Sequence, residues 1–254
     1  NSSLANVSSS FKNHISHYFQ TDTVFHDSQP TTFDFNFSLK KTDLITNIIV
    51  PGLSEFRPGS LLGRFDSEAQ ILDVGLDMYH FKYGSTVVDS LSLLVNSDDS
   101  NMIITSNIAE INSNNTQINN LVIAAEIAEN TITAEVSARD STGRENYFLT
   151  GMVAKRDSLY QFEVPGDSLI LSYQKWEVAQ NEPMVFSHMS SDTTKLVLSQ
   201  NQQSITISYS PKPQMASLAF KSFQLHTISS ALEKEKDLLT GKLDGYLSIA
   251  FEQD

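Results

Sequence analysis

The chain has 254 residues, 40% of them hydrophobic, enough for one large β domain or two smaller ones around a substantial core. Seventeen basic residues against thirty acidic ones leave a formal charge of −13, so there is no net positive field to attract nucleic-acid phosphates or an anionic membrane surface. The lack of cysteine excludes disulfides and thiolate metal sites, and no run of about twenty apolar residues could span a bilayer as a helix.

The chain opens Asn1-Ser2-Ser3-Leu4, with neither Met nor a signal peptide, and is expected to be an interior piece of a longer protein. Leu4, Val7, Phe11, Ile15 and Phe19 recur three or four apart, which predicts an amphipathic helix over residues 3–19 with Ser, Lys and His on its wet side. After Gln29-Pro30, the set Phe33, Phe35, Phe37 and Leu39 alternates as a strand. A short helix from Thr42 to Val50 is expected to stop at Pro51-Gly52.

Beyond Arg57-Pro58-Gly59 short alternating strands follow one another. Their apolar sets are Leu72/Val74/Leu76/Met78, Leu91/Leu93/Val95, Met102/Ile104, Leu121/Ile123/Ala125, Ile132/Ala134/Val136, Tyr147/Leu149 or Phe148/Met152, Tyr160/Phe162/Val164 and Leu169/Leu171/Tyr173. Asn/Ser/Asp clusters such as Asn96 to Asn101 and Asn112 to Asn115 mark the turns. With no helical pattern between the strands, an antiparallel meander is favoured over a parallel α/β sheet. Trp176, Val178, Met184 and Phe186 are expected to pack a hairpin. Alternation resumes at Leu196/Leu198, Ile205/Ile207/Tyr209 and Leu218/Phe220, and Thr227 to Leu239 reads as a second internal helix.

Two repeats run through this pattern. Val88-Asp89-Ser90-Leu91 returns as Ile118-Asn119-Asn120-Leu121, an offset of 118 − 88 = 30, with a weaker echo at Gly166-Asp167-Ser168-Leu169. Over a longer period, Phe37-Ser38-Leu39 corresponds to Phe223-Gln224-Leu225 (223 − 37 = 186), and Leu61-Leu62-Gly63-Arg64-Phe65-Asp66 to Leu239-Thr240-Gly241-Lys242-Leu243-Asp244 (239 − 61 = 178). The module is strand, helix, Leu-x-Gly-basic-apolar-Asp, then strands. The reading is one continuous repetitive β domain over 1–254, with helix, strand and short helix in 1–60, the β array in 61–225, and a helix plus the start of another module in 226–254.

The Leu-x-Gly-Lys-Leu-Asp-Gly element, Val50-Pro51-Gly52-Leu53, the Asp-Ser-Leu and Asn-Asn-Leu strand openers, and Ile205-Thr206-Ile207 with Leu218-Ala219-Phe220 resemble the TamB/AsmA-like proteins of Gram-negative envelopes, in particular their TamB-type domain of unknown function. The likeness covers most of the chain, and this sequence departs from it in carrying extra helices and much Asn and Ser. It implies a sheet curled into a trough, a β-taco, with an apolar concave face. It also implies a periplasmic location in a parent anchored in the inner membrane, with roles in phospholipid transport and outer-membrane protein assembly, possible contact with an outer-membrane barrel protein among them. A closed β-sandwich is the alternative built by the same alternation.

A curled apolar face could hold phospholipid acyl chains, each buried methylene contributing roughly 0.8 kcal/mol. The residues expected to line it are Leu72, Val74, Leu76, Leu91, Leu93, Val95, Leu121, Ile123, Ile132, Val136, Tyr160, Phe162 and Val164. A one-residue slip would turn any strand's set to the other side.

No constellation for catalysis, cofactor or metal stands out. His14 and His17 share a helix face without further ligands nearby and read as solvated; Asp98-Asp99 reads as turn chemistry rather than a calcium loop. Glu135, Glu163 and Glu177 read as the wet face of a sheet rather than a glycosidase pair, and neither a nucleophile elbow nor a phosphate loop is present. Trp176 is either a core anchor or a sugar-stacking platform. The expectation is therefore a non-enzymatic lipid groove, with a cell-surface β-sandwich adhesin or glycan-binding module as the alternative and a carbohydrate-active enzyme as the third reading.

Overall fold

The structure is a computed structural model that describes residues 4–20, 29–40, 50, 52–113, 116–157, 159–165, 169–179, 183–186, 192–225 and 241–250. Among these residues it is mainly β, with 17 strands and one helix, and the described strand pairings are antiparallel. The chain divides into two compact units, 1–134 and 135–254.

In the first unit, helix α1 (Leu4–Tyr18) precedes β1 (Thr32–Leu39), β2 (Leu53–Phe56), β3 (Gly59–Asp66), β4 (Ile71–Tyr83), β5 (Thr86–Ser97), β6 (Met102–Ser113) and β7 (Thr116–Ala128). The strand β8 (Thr131–Arg139) crosses the division between the units. From β3 to β7 each strand pairs with its sequence neighbour, because the turns are short and their residues accept tight backbone conformations. β1 lies outside β3, and β2 extends the line of β3 along β4 after the break at Arg57-Pro58. Asp66 and Asp98 each accept two backbone N–H groups just ahead of them in sequence, at 2.7–3.1 Å, which closes the β3–β4 and β5–β6 turns.

The offset-30 repeat has a structural cause. Ser90 and Asn120 adopt left-handed φ values of 53° and 46° inside β5 and β7. The register is unbroken on either side of them: Leu91↔Ile108↔Leu121 on one side, Asp89↔Glu110↔Asn119 on the other. Both residues therefore stand in one transverse line, opposite Ala109 of β6. Ser and Asn tolerate this conformation far better than a β-branched residue, which is why the two strand openers read alike.

α1 was expected to dock through Leu4, Val7, Phe11, Ile15 and Phe19. Its most buried line is instead Ser10, His14 and Tyr18, with Phe11 partly buried beside it and Ile15 44% exposed. Polar partners just outside the strands rotate the helix: Ser10 Oγ donates to Thr31 Oγ1 at 3.1 Å, and Tyr18 Oη donates to the Asp98 carbonyl at 2.5 Å. Its C-terminal end is satisfied by the β7–β8 turn, where Asn130 N donates to Tyr18 O at 2.8 Å and Asn130 Oδ1 accepts from Gln20 N at 2.8 Å. Glu129 and Asn130 both have positive φ there, 48° and 60°, the geometry of a two-residue turn matched to strand twist.

In the second unit, β9 (Glu145–Arg156) pairs with two short strands placed end to end, β10 (Leu159–Glu163) and β11 (Leu169–Leu171). β12 (Gln174–Ala179) pairs with β11 and β14 (Thr194–Gln200), while β13 (Met184–Phe186) pairs with β10. Among the described residues Trp176 thus stands opposite Leu169 and Val178 opposite Leu198 and not in the expected ladder with Met184 and Phe186, although Val178 packs against the Met184 cluster. A tight turn at Ser172 and Tyr173, φ 50° and 64°, commits β12 to β11 and leaves β13 to β10. β15 (Gln203–Pro211), β16 (Gln214–Gln224) and β17 (Lys242–Ala250) complete the meander.

The long repeat survives as topology. β1 pairs with β3 and β16 with β17, so in both places the strand before the interval pairs with the strand after it. The details differ: Asp66 closes its own turn, whereas Asp244 Oδ1 accepts from Ser222 N at 2.7 Å across the ladder. The expected helices Thr42 to Val50 and Thr227 to Leu239 fall on residues 41–49 and 226–240, outside the described residues but for Val50. So does most of the third Asp-Ser-Leu echo.

The expected antiparallel meander is present, but in neither unit is the sheet closed or strongly curled. Strong curvature needs bulges or glycine kinks repeated along the strands. Register shifts occur at Leu53/Glu55 and Phe220/Phe223 among the described pairings.

Candidate functional site

In the first unit the strand register assembles the expected apolar residues into rows running across the sheet. Val74 stands opposite Val95, which stands opposite Ile104; Leu76 opposite Leu93; and Met78 opposite Leu91, Ile108 and Leu121 in turn. Ile123 joins the Leu93 row through Ser106. Period-two alternation puts residues in such rows on one face of the sheet. Val74, Leu76, Leu91, Leu93, Val95 and Leu121 are half-buried, and Ile123 is 36% exposed. Ile132, on β8, is half-buried as well.

One end of this face is covered. Leu72 is buried in a cluster with Tyr18, Phe65 and Met102, against which Phe11, Phe33, Val74, Val95, Ile104 and Ile127 pack. Phe11 stacks on Phe65 with centroids 4.5 Å apart, and His14 meets Phe65 edge-on at 5.4 Å. Phe35 of β1 sits over Gly63 of β3, where an added Cβ would lie 2.5 Å from the ring. At the other end the Ser90/Asn120 line changes the parity of the apolar positions: beyond it the row is Phe81↔Val88↔Ile111↔Ile118, with Val88 buried. Uninterrupted alternation would send this row and the Leu91 row to opposite faces; the left-handed residues interrupt it at that line.

The remaining expected residues lie in the second unit. Tyr160 and Phe162 are half-buried on β10, and Val136 is half-buried on β8. Val164 is buried with Met184, Leu196 and Tyr209, and Phe162 packs on that cluster. These two are core residues of the unit.

The polar residues singled out by the sequence separate cleanly. His17 is partly exposed, its Nε2 2.9 Å from the Asp99 carbonyl. His14, expected on a wet helix face, is 1% exposed; its Nε2 is 3.0 Å from Ser97 Oγ and its Nδ1 is buried with no hydrogen-bond partner among the described residues. Burial holds its pKa below the ordinary histidine value, and His17 adds to that, while the Gln70 side chain opposes it. His80 is the reverse case. Asp89 Oδ1 at 2.5 Å, aided by Glu55 at 3.4 Å, raises its pKa, with desolvation working against them. Glu135 and Glu177 are exposed, and Asp98 serves its turn, its pKa lowered by the N–H groups of Ser100 and Asn101. No group of three metal-binding side chains occurs among the described residues. Trp176 is 0% exposed, packed with Leu169 and Phe223, and has no face for a sugar.

The opposite face of the first unit carries a feature the hydrophobic pattern did not single out. Leu62 and Leu94, 49% and 51% exposed, flank Gly75 and line a shallow hollow of about 450 Å³ with Asn36, Arg64, Asp73 and Asn96. A glycine inside an otherwise alternating strand was the available signal. Among the described residues no helix is long and apolar enough to cross a membrane. The chain matches no family model, no curated protein and no solved structure.

Proposed function

We propose that the chain is a non-enzymatic, periplasmic segment of a TamB/AsmA-like envelope protein, and that the apolar face of its first unit carries phospholipid acyl chains. In this reading the face serves lipid transport between inner and outer membranes, outer-membrane protein assembly, or both, as an open apolar surface of the sheet. The observation that carries the reading is the set of transverse rows, Val74–Val95–Ile104, Leu76–Leu93 and Met78–Leu91–Ile108–Leu121. Rows of Leu, Ile and Val without interleaved charge suit a ligand that slides, because each methylene is held by area alone, at roughly 0.8 kcal/mol, and not by fixed polar contacts. The Ser106 position is the polar interruption in these rows, and it is uncharged. The adhesin or glycan-binding alternative lacks its stacking platform, since Trp176 is enclosed.

The test is photocrosslinking in a Gram-negative host. Photoreactive residues at Leu93 and Leu121 are expected to capture phospholipid, detected by mass spectrometry, while the same probe at Ser92, on the opposite face, captures little. Equal labelling at all three positions, or none, overturns the reading.

A further inference from the structure

Helix α1 is held on the sheet by a small set of side chains, and one of them is a poor choice for a permanent anchor. His14 is 1% exposed, its ring edge-on to Phe65 at 5.4 Å and to Tyr18 at 5.3 Å. Its polar anchor on the sheet is Ser97 Oγ, which also takes the Leu72 N–H at 2.8 Å and faces the Gln70 carbonyl at 3.2 Å. With the hydroxyl proton directed to that carbonyl, His14 donates through Nε2 and leaves Nδ1 as a bare lone pair. A second proton would add a buried charge and a new N–H donor.

The surroundings give that charge little compensation. On the helix itself the ionisable neighbours are His17, of the same sign when protonated, and Tyr18, whose phenol is kept neutral through this range by burial. From the β3–β4 turn, Asp66 is engaged with the N–H groups of Glu68 and Ala69, and Glu68 lines a polar cavity of about 460 Å³ along the helix. From the β5–β6 turn, Asp98 holds Ser100 and Asn101, and Asp99 faces His17. β3, β4 and the Pro30-Thr31 segment bring Phe65, Leu72 and Thr31, none of them ionisable. The Gln70 amide, whose Oε1 is buried without a partner among the described residues, is a neutral acceptor close enough to offset part of the cost. The same cavity, lined by His14 and Gln70, gives protons a path.

We propose that α1 is an acid-released latch: protonation of His14 frees the helix from the sheet and bares Phe65, Leu72 and Met102 at the end of the apolar face. The sign follows from linkage. A group protonated more readily in the released state than in the docked state stabilises docking above its ordinary titration range and loses that contribution as pH falls through it. The latch stands whether or not the face carries lipid, since its readouts involve no lipid.

The experiment combines hydrogen exchange of α1 amides, corrected for intrinsic rates, with an NMR titration of the His14 ring in the unmodified chain, between pH 7.5 and 4.5. Expected is a rise in α1 exchange on the order of tenfold per pH unit over the range in which the released state takes up the His14 proton and the docked state does not, while β4–β7 stay protected. His14→Gln should remove the pH dependence, and His17→Gln should keep it. Retention of the full pH response in His14→Gln overturns the proposal. Should His14→Gln prevent docking at every pH, the unmodified chain decides: protonation of His14 with α1 still protected overturns the latch, and protonation coincident with release upholds it.

Discussion

The two units fill their interiors in different ways. In the first, the central strands are long, 13, 12, 12 and 13 residues for β4 to β7, and the buried cluster gathers at one end under a helix. In the second, β10, β11 and β13 have only 5, 3 and 3 residues, and two buried clusters form, one around Val164 and Met184 and one around Leu169 and Trp176. A long strand must keep alternating, so it maintains a broad half-buried face. A short strand frees the chain to turn its next apolar residue inward, as Val164 does just beyond β10. The same composition can therefore give a surface to lay a ligand on or a sealed core, depending on where the strands stop.

Truncating one residue of each kind separates the two interiors most directly. Phe65→Ala and Trp176→Ala, each at a side chain with no exposure, are expected to cost about 3–5 kcal/mol in their own units. Leu93→Ala, on the half-buried face, should cost only about 1 kcal/mol. Urea unfolding followed by circular dichroism, with hydrogen exchange to assign the loss to one unit, checks all three. A cost at Leu93 matching that at Phe65 would mean that the face is core. Trp176→Phe sharpens the point, because Trp176 Nε1 is buried without a partner among the described residues, so the phenyl ring loses volume but no hydrogen bond.

The sequence carried the strands of the first unit well, because period-two alternation and Asn/Ser/Asp turns act locally, but the register that joins Leu76 to Leu93, and Leu91 through Ile108 to Leu121, needed the structure. It could not place α1. The helix face was chosen by hydrophobicity, whereas docking was decided by Thr31, Ser97 and the Asp98 carbonyl, tens of residues away. His14, on the wet side by the same hydrophobic pattern, is buried for the same reason. The short strands of the second unit were visible as apolar pairs, but Trp176 stands opposite Leu169 because of the tight Ser172-Tyr173 turn, and nothing in the Trp176 segment itself says so. The Asp-Ser-Leu and Asn-Asn-Leu phrases were legible as a repeat, yet their meaning, a left-handed residue midway along a strand, needed backbone angles.

That line of left-handed residues is what limits how far the first unit's face extends, and it can be altered. Asn120→Val places a β-branched side chain at φ 46° and should destabilise the unit by about 1–2 kcal/mol. Asn120→Gly should be near neutral, since glycine accepts the same angles. If both variants lose stability equally, the Asn120 side chain rather than its backbone is what matters, and the parity change beyond Leu121 needs another cause.

The smallest effect expected is at His80, and its value is in its sign. The imidazole lies between Asp89 at 2.5 Å and Glu55 at 3.4 Å, and Lys82 meets Glu55 at 3.2 Å, all on the β2–β4–β5 end of the first unit. Asp89 raises the His80 pKa in the folded chain, so its contribution is complete below the ordinary histidine value and is lost as pH rises through the raised one. His14 runs the other way: its contribution is present at neutral pH and lost on acidification. Partial exposure of the His80 cluster screens it, so local exchange at β4–β5 should respond less than that of α1. Asp89→Asn removes the principal cause of the shift, and β4–β5 protection should then become nearly flat between pH 6 and 8, with the acid response of α1 untouched. The two histidines are far apart in register, His80 opposite Asp89 and His14 against Ser97, eight residues further along β5 (97 − 89 = 8), so coupling between them would have to pass along the strand through the Ser90 kink. An Asp89→Asn change that also altered the α1 response would show that the kink transmits, and that the apolar face between these ends moves as one piece.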